Sequence, residues 1–255
     1  MSEPFVDSEP TSPIGERRER TDKIAEKVAR RILRDIVARK LEPGSKLPSE
    51  ALMLERYEVG RASLREGLRI LEVYGLIWIK PGPGGGPIVA DVSSEDFGRS
   101  ATFFYHAVGA TLWELVESRV HIEALMARLA AERPSDERAT TLRECLDREA
   151  AALAAETPPV VSPLFTFHET VAGMSGNRVL SMLGQSILDI YVERIRPVAV
   201  VDRAHVHSTH QEIGAAILSG EPETAERLMR THIEEMAAAF KKNFAGLVDE
   251  IIDWR

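Results

Sequence analysis

A short glycine-rich segment, residues 81–86, constrains the fold most, because the chain around it is almost continuously helical in pattern. Two short apolar runs flank this segment, residues 76–79 and 88–89. Both are too short for a helix and rich in strand-forming side chains. Proline and glycine between them favour a tight turn. The sequence therefore predicts one β-hairpin in a mainly α-helical protein.

Three helical patterns precede the hairpin. Apolar residues recur at helical spacing from Ile24 to Val37, and Pro-Ser-Glu at residues 48–50 opens a short helix that runs to Tyr57. A third helix starts near Gly60, with leucines repeating on one face. Three helices and a hairpin make a winged helix-turn-helix, which we predict over residues 16–92. Residues 1–15 are rich in proline, serine and acidic residues, and we expect them to be a flexible tail.

The remaining residues, 93–255, show helical periodicity interrupted by proline and glycine breakers. The pattern predicts about seven helices, at residues 97–108, 112–131, 136–155, 164–174, 179–195, 203–218 and 222–248. Short connections between helices favour an antiparallel bundle. We therefore expect a separate all-α domain.

Charge is distributed unevenly along the chain, which carries a formal net charge of -8. Residues 16–80 carry +5, whereas residues 81–255 carry -10. A basic N-terminal region followed by an acidic C-terminal region is typical of a protein whose N-terminal region binds phosphate, although a chance fluctuation would give the same balance. The single cysteine, Cys145, and the lack of a signal-like or membrane-spanning apolar segment predict a cytoplasmic protein that does not enter the membrane.

The third helix carries arginines at helical spacing. Arg61, Arg65 and Arg69 recur every four residues and share one face, while the leucines occupy another. The first residues of a recognition helix reach base edges in the major groove, where a guanidinium can contact guanine bidentately. We predict that Arg61 and Arg65 read bases, with Ala62 and Ser63 allowing close approach. A solvated basic helix face is the alternative interpretation.

Two further elements complete the predicted DNA contact. Ser49, at the start of the second helix, can place its hydroxyl and a backbone N–H at a phosphate. Lys80 and Gly82, at the glycine-rich tip, are predicted to lie near the adjacent minor groove. The predicted partner is therefore double-stranded operator DNA.

The segment LEPGSKLPSEALMLERYEVGRASLREGLRILEVYGLIWIKPGPGGG resembles the winged helix of the GntR family of bacterial transcription regulators. The resemblance rests on its Pro-Ser-Glu, Val-x-Arg, Leu-Arg-Glu and Tyr-Gly-Leu elements. Two positions differ from the usual family pattern: Ala51 stands where the family has arginine, and Gly60 stands where it has serine. Gly60 can still act as an N-cap. The resemblance implies a dimeric regulator, usually a repressor, that binds a palindromic operator.

Three histidines lie on different predicted helices, namely His168, His210 and His232. Imidazoles that converge in a helical core can hold zinc, nickel or manganese, whereas isolated helical histidines are more often surface or packing residues. Residues 95–245 resemble the FCD effector domain of FadR-like GntR proteins, and many of those hold a divalent metal with one Asp and three His. The Asp position is Leu164 here. A metal-free pocket lined by histidines therefore remains the alternative.

The same resemblance implies that Arg119 points into an effector cavity, where its guanidinium would clamp a carboxylate. Pairing of Arg119 with Glu123, four residues later on the same helix, is the alternative. A metal-dependent hydrolase built on the histidines is the rival function, but the sequence has no His-Glu-x-x-His motif. We predict a repressor, not an enzyme, whose operator affinity responds to a small carboxylate.

Overall fold

The computed structural model describes residues 13–155, 163–195 and 202–254, and the chain divides into two compact units between Ser93 and Ser94. Most of the predicted tail lies outside the described residues. Its last three residues, 13–15, already belong to the first helix.

The N-terminal unit has three helices followed by an antiparallel hairpin. Its elements are α1 (Pro13–Ala38), α2 (Glu50–Tyr57), α3 (Arg61–Val73), β1 (Ile77–Lys80) and β2 (Gly86–Val89). The hairpin pairs Ile77 with Val89 and Lys80 with Gly86. This arrangement is the predicted winged helix-turn-helix.

A single core holds this unit together, and it comes mainly from α1 and α3. Its most buried side chains include Val28, Ile32, Leu64, Leu68, Leu71 and Ile77. The two helices approach closely at Gly67, where an added Cβ would lie 3.0 Å from both the Ala25 carbonyl oxygen and Val28 Cγ1. In α2 the buried residues are Met53 and Tyr57, while Leu52 is 57% exposed. Met53 and Tyr57 thus form the buried face of α2.

Seven α-helices form the described part of the C-terminal unit. They are α4 (Ser94–Ala107), α5 (Leu112–Glu132), α6 (Asp136–Ala154), α7 (Pro163–Met174), α8 (Arg178–Ile195), α9 (Arg203–Leu218) and α10 (Pro222–Asn243). A capping box fixes the start of α5, because Thr111 accepts from the Glu114 N–H and Glu114 accepts from the Thr111 N–H. Among the described residues, no helix combines the length and apolar character that a membrane crossing requires.

The last helix ends earlier than the periodicity predicts. Residues 222–248 show one continuous apolar pattern, yet α10 stops at Asn243 and a 3-10 turn follows at Ala245–Leu247. The carbonyl oxygens of Val248 and Glu250 accept hydrogen bonds from Trp113 and Leu112 at the start of α5. The apolar side chains after α10 therefore pack on the bundle from a 3-10 turn and the irregular backbone that follows it.

A large apolar cluster fills the space between α5, α6, α7, α9 and α10. Its fully buried members include Leu142, Phe167, Ile213, Met229 and Ile233. Cys145 lies in the same cluster at 1% exposure, and burial raises the pKa of its thiol. Cys145 is thus a core residue of this unit.

Candidate DNA-binding surface and histidine cluster

The turn between α2 and α3 presents the start of α3 to solvent. Ser49 caps α2 by accepting from the Leu52 N–H at 3.4 Å, and Glu58 ends that helix in the left-handed region at φ 54°. Gly60 is the N-cap of α3 and forms no side-chain cap bond. The first backbone N–H groups of α3 therefore have no side-chain cap, a geometry that suits phosphate.

Side chains on α3 separate into a buried apolar face and an exposed basic face. Arg61, Ala62, Arg65 and Arg69 are exposed, and Ser63 is half-buried. The Arg65 guanidinium meets Glu50 of α2 at 3.3 Å, with 69% of the arginine side chain still exposed. An exposed pair of this kind contributes little, about 0–1 kcal/mol, so Arg65 can exchange this partner for another.

The hairpin tip is tightly turned. Lys80 and Gly82 are exposed, and Gly82 has a φ of +88°, which favours glycine. A Cβ on Gly85 would lie 2.1 Å from the Lys80 carbonyl oxygen, so this position also requires glycine. Lys46 Nζ donates to the Gly84 carbonyl oxygen at 3.2 Å and braces the tip. The structure thus places the predicted wing residues on an exposed, ordered turn.

The three candidate metal ligands converge inside the C-terminal unit. His168 of α7, His210 of α9 and His232 of α10 offer nitrogen atoms that all lie within 4.8 Å of one another. They are 7%, 0% and 3% exposed, respectively. His210 Nε2 lies 3.2 Å from His232 Nε2. The sequence-predicted trio is therefore one buried cluster rather than three separate surface residues.

A buried carboxylate lies behind His210. Glu149 of α6 is 1% exposed, and both of its oxygens lie within 3.1 Å of His210 Nδ1. His207 Nδ1 lies 3.0 Å from Glu149 Oε2. No local sequence pattern points to Glu149 or to a partner for His207, because these contacts join positions 58 and 61 residues apart.

A second carboxylate lies behind His168. Glu123 of α5 accepts from Arg119 Nε at 2.6 Å, while its Oε2 lies 2.5 Å from His168 Nδ1. Among the described residues these two buried atoms have no other partner, so they face each other as a close buried pair. Arg119 itself is 4% exposed, and its guanidinium carbon lies 4.3 Å from the centre of the Tyr191 ring.

Burial disfavours the charged forms of two cluster imidazoles, those of His210 and His232. Burial lowers the pKa of His210 to about 4, against the opposing effect of Glu149. Burial and the neighbouring rings lower the pKa of His232 to about 2. Burial alone would raise the pKa of Glu123, but Arg119 and His168 outweigh it and lower that pKa. At neutral pH the neutral rings of His210 and His232 therefore lie near the ionised carboxylate of Glu123.

This donor set suits a divalent transition metal. Three imidazoles from separate helices are ligands that zinc and nickel prefer, and metal-bound histidines usually have a carboxylate on the other ring nitrogen. Leu164 lies one turn before His168 on α7 and is half-buried. It supplies no ligand atom. The described cluster is thus an all-histidine set with Glu123 and Glu149 behind the rings.

A cavity of about 700 Å³ lies elsewhere in the C-terminal unit, with lining residues from α4, α7 and α8. Neither Arg119 nor the three cluster histidines are among these residues. Carboxylates outnumber arginines in this lining; they are Glu95, Glu169, Asp189, Glu193 and Asp253, against Arg99 and Arg194. Burial raises the pKa of both Glu169 and Asp189. The cavity is therefore unfavourable for an anionic ligand.

Known proteins resemble this chain over both units. Residues 24–85 match the family model described as bacterial regulatory proteins, gntR family, and residues 114–235 match the FCD domain. The HTH-type transcriptional repressor NanR of Cronobacter sakazakii is 29% identical over 237 residues, which cover 89% of each chain. NanR of Escherichia coli K12 is 27% identical over 230 residues, which cover 86% of this chain and 84% of that protein.

A solved structure supports the same assignment. Streptococcus agalactiae GntR superposes with a TM-score of 0.64 at 27% identity and covers 84% of this chain and 99% of that one. These relatives indicate a transcription regulator, and the hydrolase alternative finds no support among them. The winged helix with its basic α3 face, followed by an all-helical FCD unit, places the chain in the gntR family of bacterial regulatory proteins.

Proposed function

We propose that this protein is a transcription repressor whose winged helix binds operator DNA and whose FCD domain binds a small carboxylate that controls operator affinity. The observation that carries the proposal is the exposed basic face of α3, with Arg61 and Arg65 at its N-terminal end. Arginines at this end of a recognition helix can read guanine in the major groove. Acting on bacterial operators, the protein works in the cytoplasm.

A symmetric homodimer would present two copies of α3. Each copy would occupy the major groove of one half-site, about one helical turn from the other, so the operator would be palindromic. Ser49 would contact a phosphate at the start of α2, and Lys80 with Gly82 would contact the neighbouring minor groove. Base contacts would set the sequence preference, while phosphate contacts would set position and salt dependence.

We further propose that His168, His210 and His232 hold a divalent metal. Their buried nitrogens all lie within 4.8 Å of one another, and the carboxylates of Glu123 and Glu149 contact Nδ1 of His168 and of His210, which supports this assignment. Imidazole-only ligands favour zinc or nickel over manganese, which prefers oxygen. A bound cation would supply positive charge for an anionic group.

Arg119 is the proposed effector contact. Its guanidinium already accommodates one carboxylate, that of Glu123, at 2.6 Å. An effector carboxylate would replace or join Glu123 at this guanidinium. That position is close to the histidine cluster, because Glu123 also contacts His168. The acidic lining of the 700 Å³ cavity argues against that cavity as the carboxylate site. Effector and operator would then affect each other's affinity equally, as linkage requires.

Two measurements test these proposals. Gel-shift assays with genomic fragments should retain specific fragments at salt concentrations that release bulk DNA. A thermal-shift screen of small carboxylates, with and without zinc, should show stabilisation of the native protein by the true effector. Arg119→Lys keeps the positive charge but loses the bidentate guanidinium, so it should abolish the thermal shift that the effector causes. Arg143→Lys, at an exposed position on α6, should keep that shift. Sequence-independent DNA binding alone would contradict the repressor assignment.

A further inference from the structure

Glu149 is a buried anionic side chain with an unusual set of partners. Its side chain is fully buried, and the hydrogen bonds the structure records for it come from two histidines of α9. His210 Nδ1 contacts both carboxylate oxygens, at 2.9 and 3.1 Å, and His207 Nδ1 contacts Oε2 at 3.0 Å. A buried carboxylate needs hydrogen-bond donors, so both histidines must present N–H groups to it.

This requirement decides the protonation pattern of His210. If Nδ1 carries the hydrogen that faces Glu149, a neutral ring has its lone pair on Nε2. That Nε2 faces the cluster, because it lies 3.2 Å from His232 Nε2. Phe167 stacks on the His210 ring with centroids 4.0 Å apart and restricts its rotation. Glu149 and Phe167 together therefore fix both the tautomer and the orientation of this ring.

We propose that Glu149 is a positioning residue for the metal site: it holds His210 with the Nε2 lone pair directed at the cluster and adds negative charge behind a neutral ligand. This inference rests on the proposal that the three histidines bind a divalent metal. His207 has a supporting role, since it lies on the same helix as His210, three residues earlier, and contacts Oε2 of the same carboxylate.

A purely structural role is the competing explanation, in which Glu149 only ties α6 to α9. The two explanations predict different metal affinities for the Glu149→Gln variant. A glutamine can still accept a hydrogen bond and link the helices, but it lacks the charge that increases the basicity of His210. Positioning thus predicts weaker metal binding in a folded variant, whereas a structural tie predicts unchanged affinity.

The experiment compares metal-free full-length variants by zinc titration in competition with a chromophoric chelator. Wild type should bind one zinc per chain, and Glu149→Gln should bind it about 10–100-fold more weakly. Glu144→Gln is the matched control, because Glu144 lies on the same helix and is exposed. Its zinc affinity should equal that of wild type. His207→Gln should give a smaller loss, because Glu149 keeps its contact with His210.

The tautomer is measured separately in the metal-free wild type by long-range ¹H–¹⁵N NMR of the imidazoles. His210 should be the Nδ1–H form, and this readout does not depend on any variant folding. An Nε2–H form, or equal zinc affinity in wild type and Glu149→Gln, overturns the positioning role while leaving the metal site intact. Wild type that binds no zinc overturns the metal proposal itself, and the positioning role with it.

Discussion

Replacing Arg65 with alanine tests the recognition surface most sharply. A bidentate arginine–guanine contact contributes about 1–3 kcal/mol of discrimination. In the free protein Arg65 pairs with Glu50 at 3.3 Å. Binding to DNA must break this exposed pair, which costs about 0–1 kcal/mol. With the middle of each range, the net loss for Arg65→Ala is about 1.5 kcal/mol, or roughly tenfold in operator affinity.

The assay is fluorescence anisotropy with a fragment selected from genomic DNA and a scrambled fragment of equal length. Arg65→Ala should lose affinity for the selected fragment much more than for the scrambled one, with little change in salt dependence. Glu50→Gln should act in the opposite direction and tighten binding up to about fivefold, because it releases Arg65 and removes a negative charge.

Arg143→Ala is the charge-matched control, since Arg143 is exposed on α6 in the other unit. It should leave operator affinity unchanged. Equal affinities of Arg65→Ala and wild type for the selected fragment would refute the assignment of α3 as the recognition helix. A loss of equal size on both fragments would instead identify Arg65 as a phosphate contact.

Three further predictions concern stability and metal preference. The metal-free protein should lose stability as the pH falls from 6.5 toward 4. In the unfolded chain His210 and His232 are protonated over this range, whereas in the folded protein their pKa values of about 4 and about 2 keep them neutral over most of it. Urea unfolding should show a loss of up to about 1.4 kcal/mol per pH unit for each histidine, and a flat profile would contradict this. Leu164→Asp should raise manganese affinity relative to zinc, as measured by competition titration, because it offers an oxygen ligand one turn from the cluster; an unchanged ratio would place this side chain away from the site. Tyr57→Phe should cost the N-terminal unit about 1–2 kcal/mol in urea unfolding, since the Tyr57 hydroxyl donates to Asp35 at 2.7 Å; a loss near zero would mean that water replaces the bond.

The winged helix could be predicted from sequence because its signals are local. Leucine spacing in α3, the Pro-Ser-Glu start of α2 and the glycines of the hairpin tip each specify structure within a few residues. Asn177 is a similar local case, since its side-chain oxygen accepts from Val179 N and Leu180 N and caps the start of α8. Local patterns of this kind need no knowledge of tertiary contacts.

The remainder of the site depends on contacts that no local pattern encodes. Glu149 lies on a helix rich in exposed charged residues, and only the packing of α6 against α9 turns it into a fully buried partner of His207 and His210. Tyr191 reaches Arg119 from α8 in the same way. The end of α10 was predicted too late, because Phe244 and Leu247 fit a helical period yet pack on the core from an irregular backbone.

Footprinting of the full-length protein on selected genomic fragments tests the central claim most directly. Repressor function predicts protected sites with two-fold sequence symmetry, whose half-sites lie about one helical turn apart. It also predicts a specific affinity that exceeds the affinity for scrambled DNA by at least about 10³ at physiological salt. Protection without sequence preference, lost uniformly as salt rises, would contradict the claim.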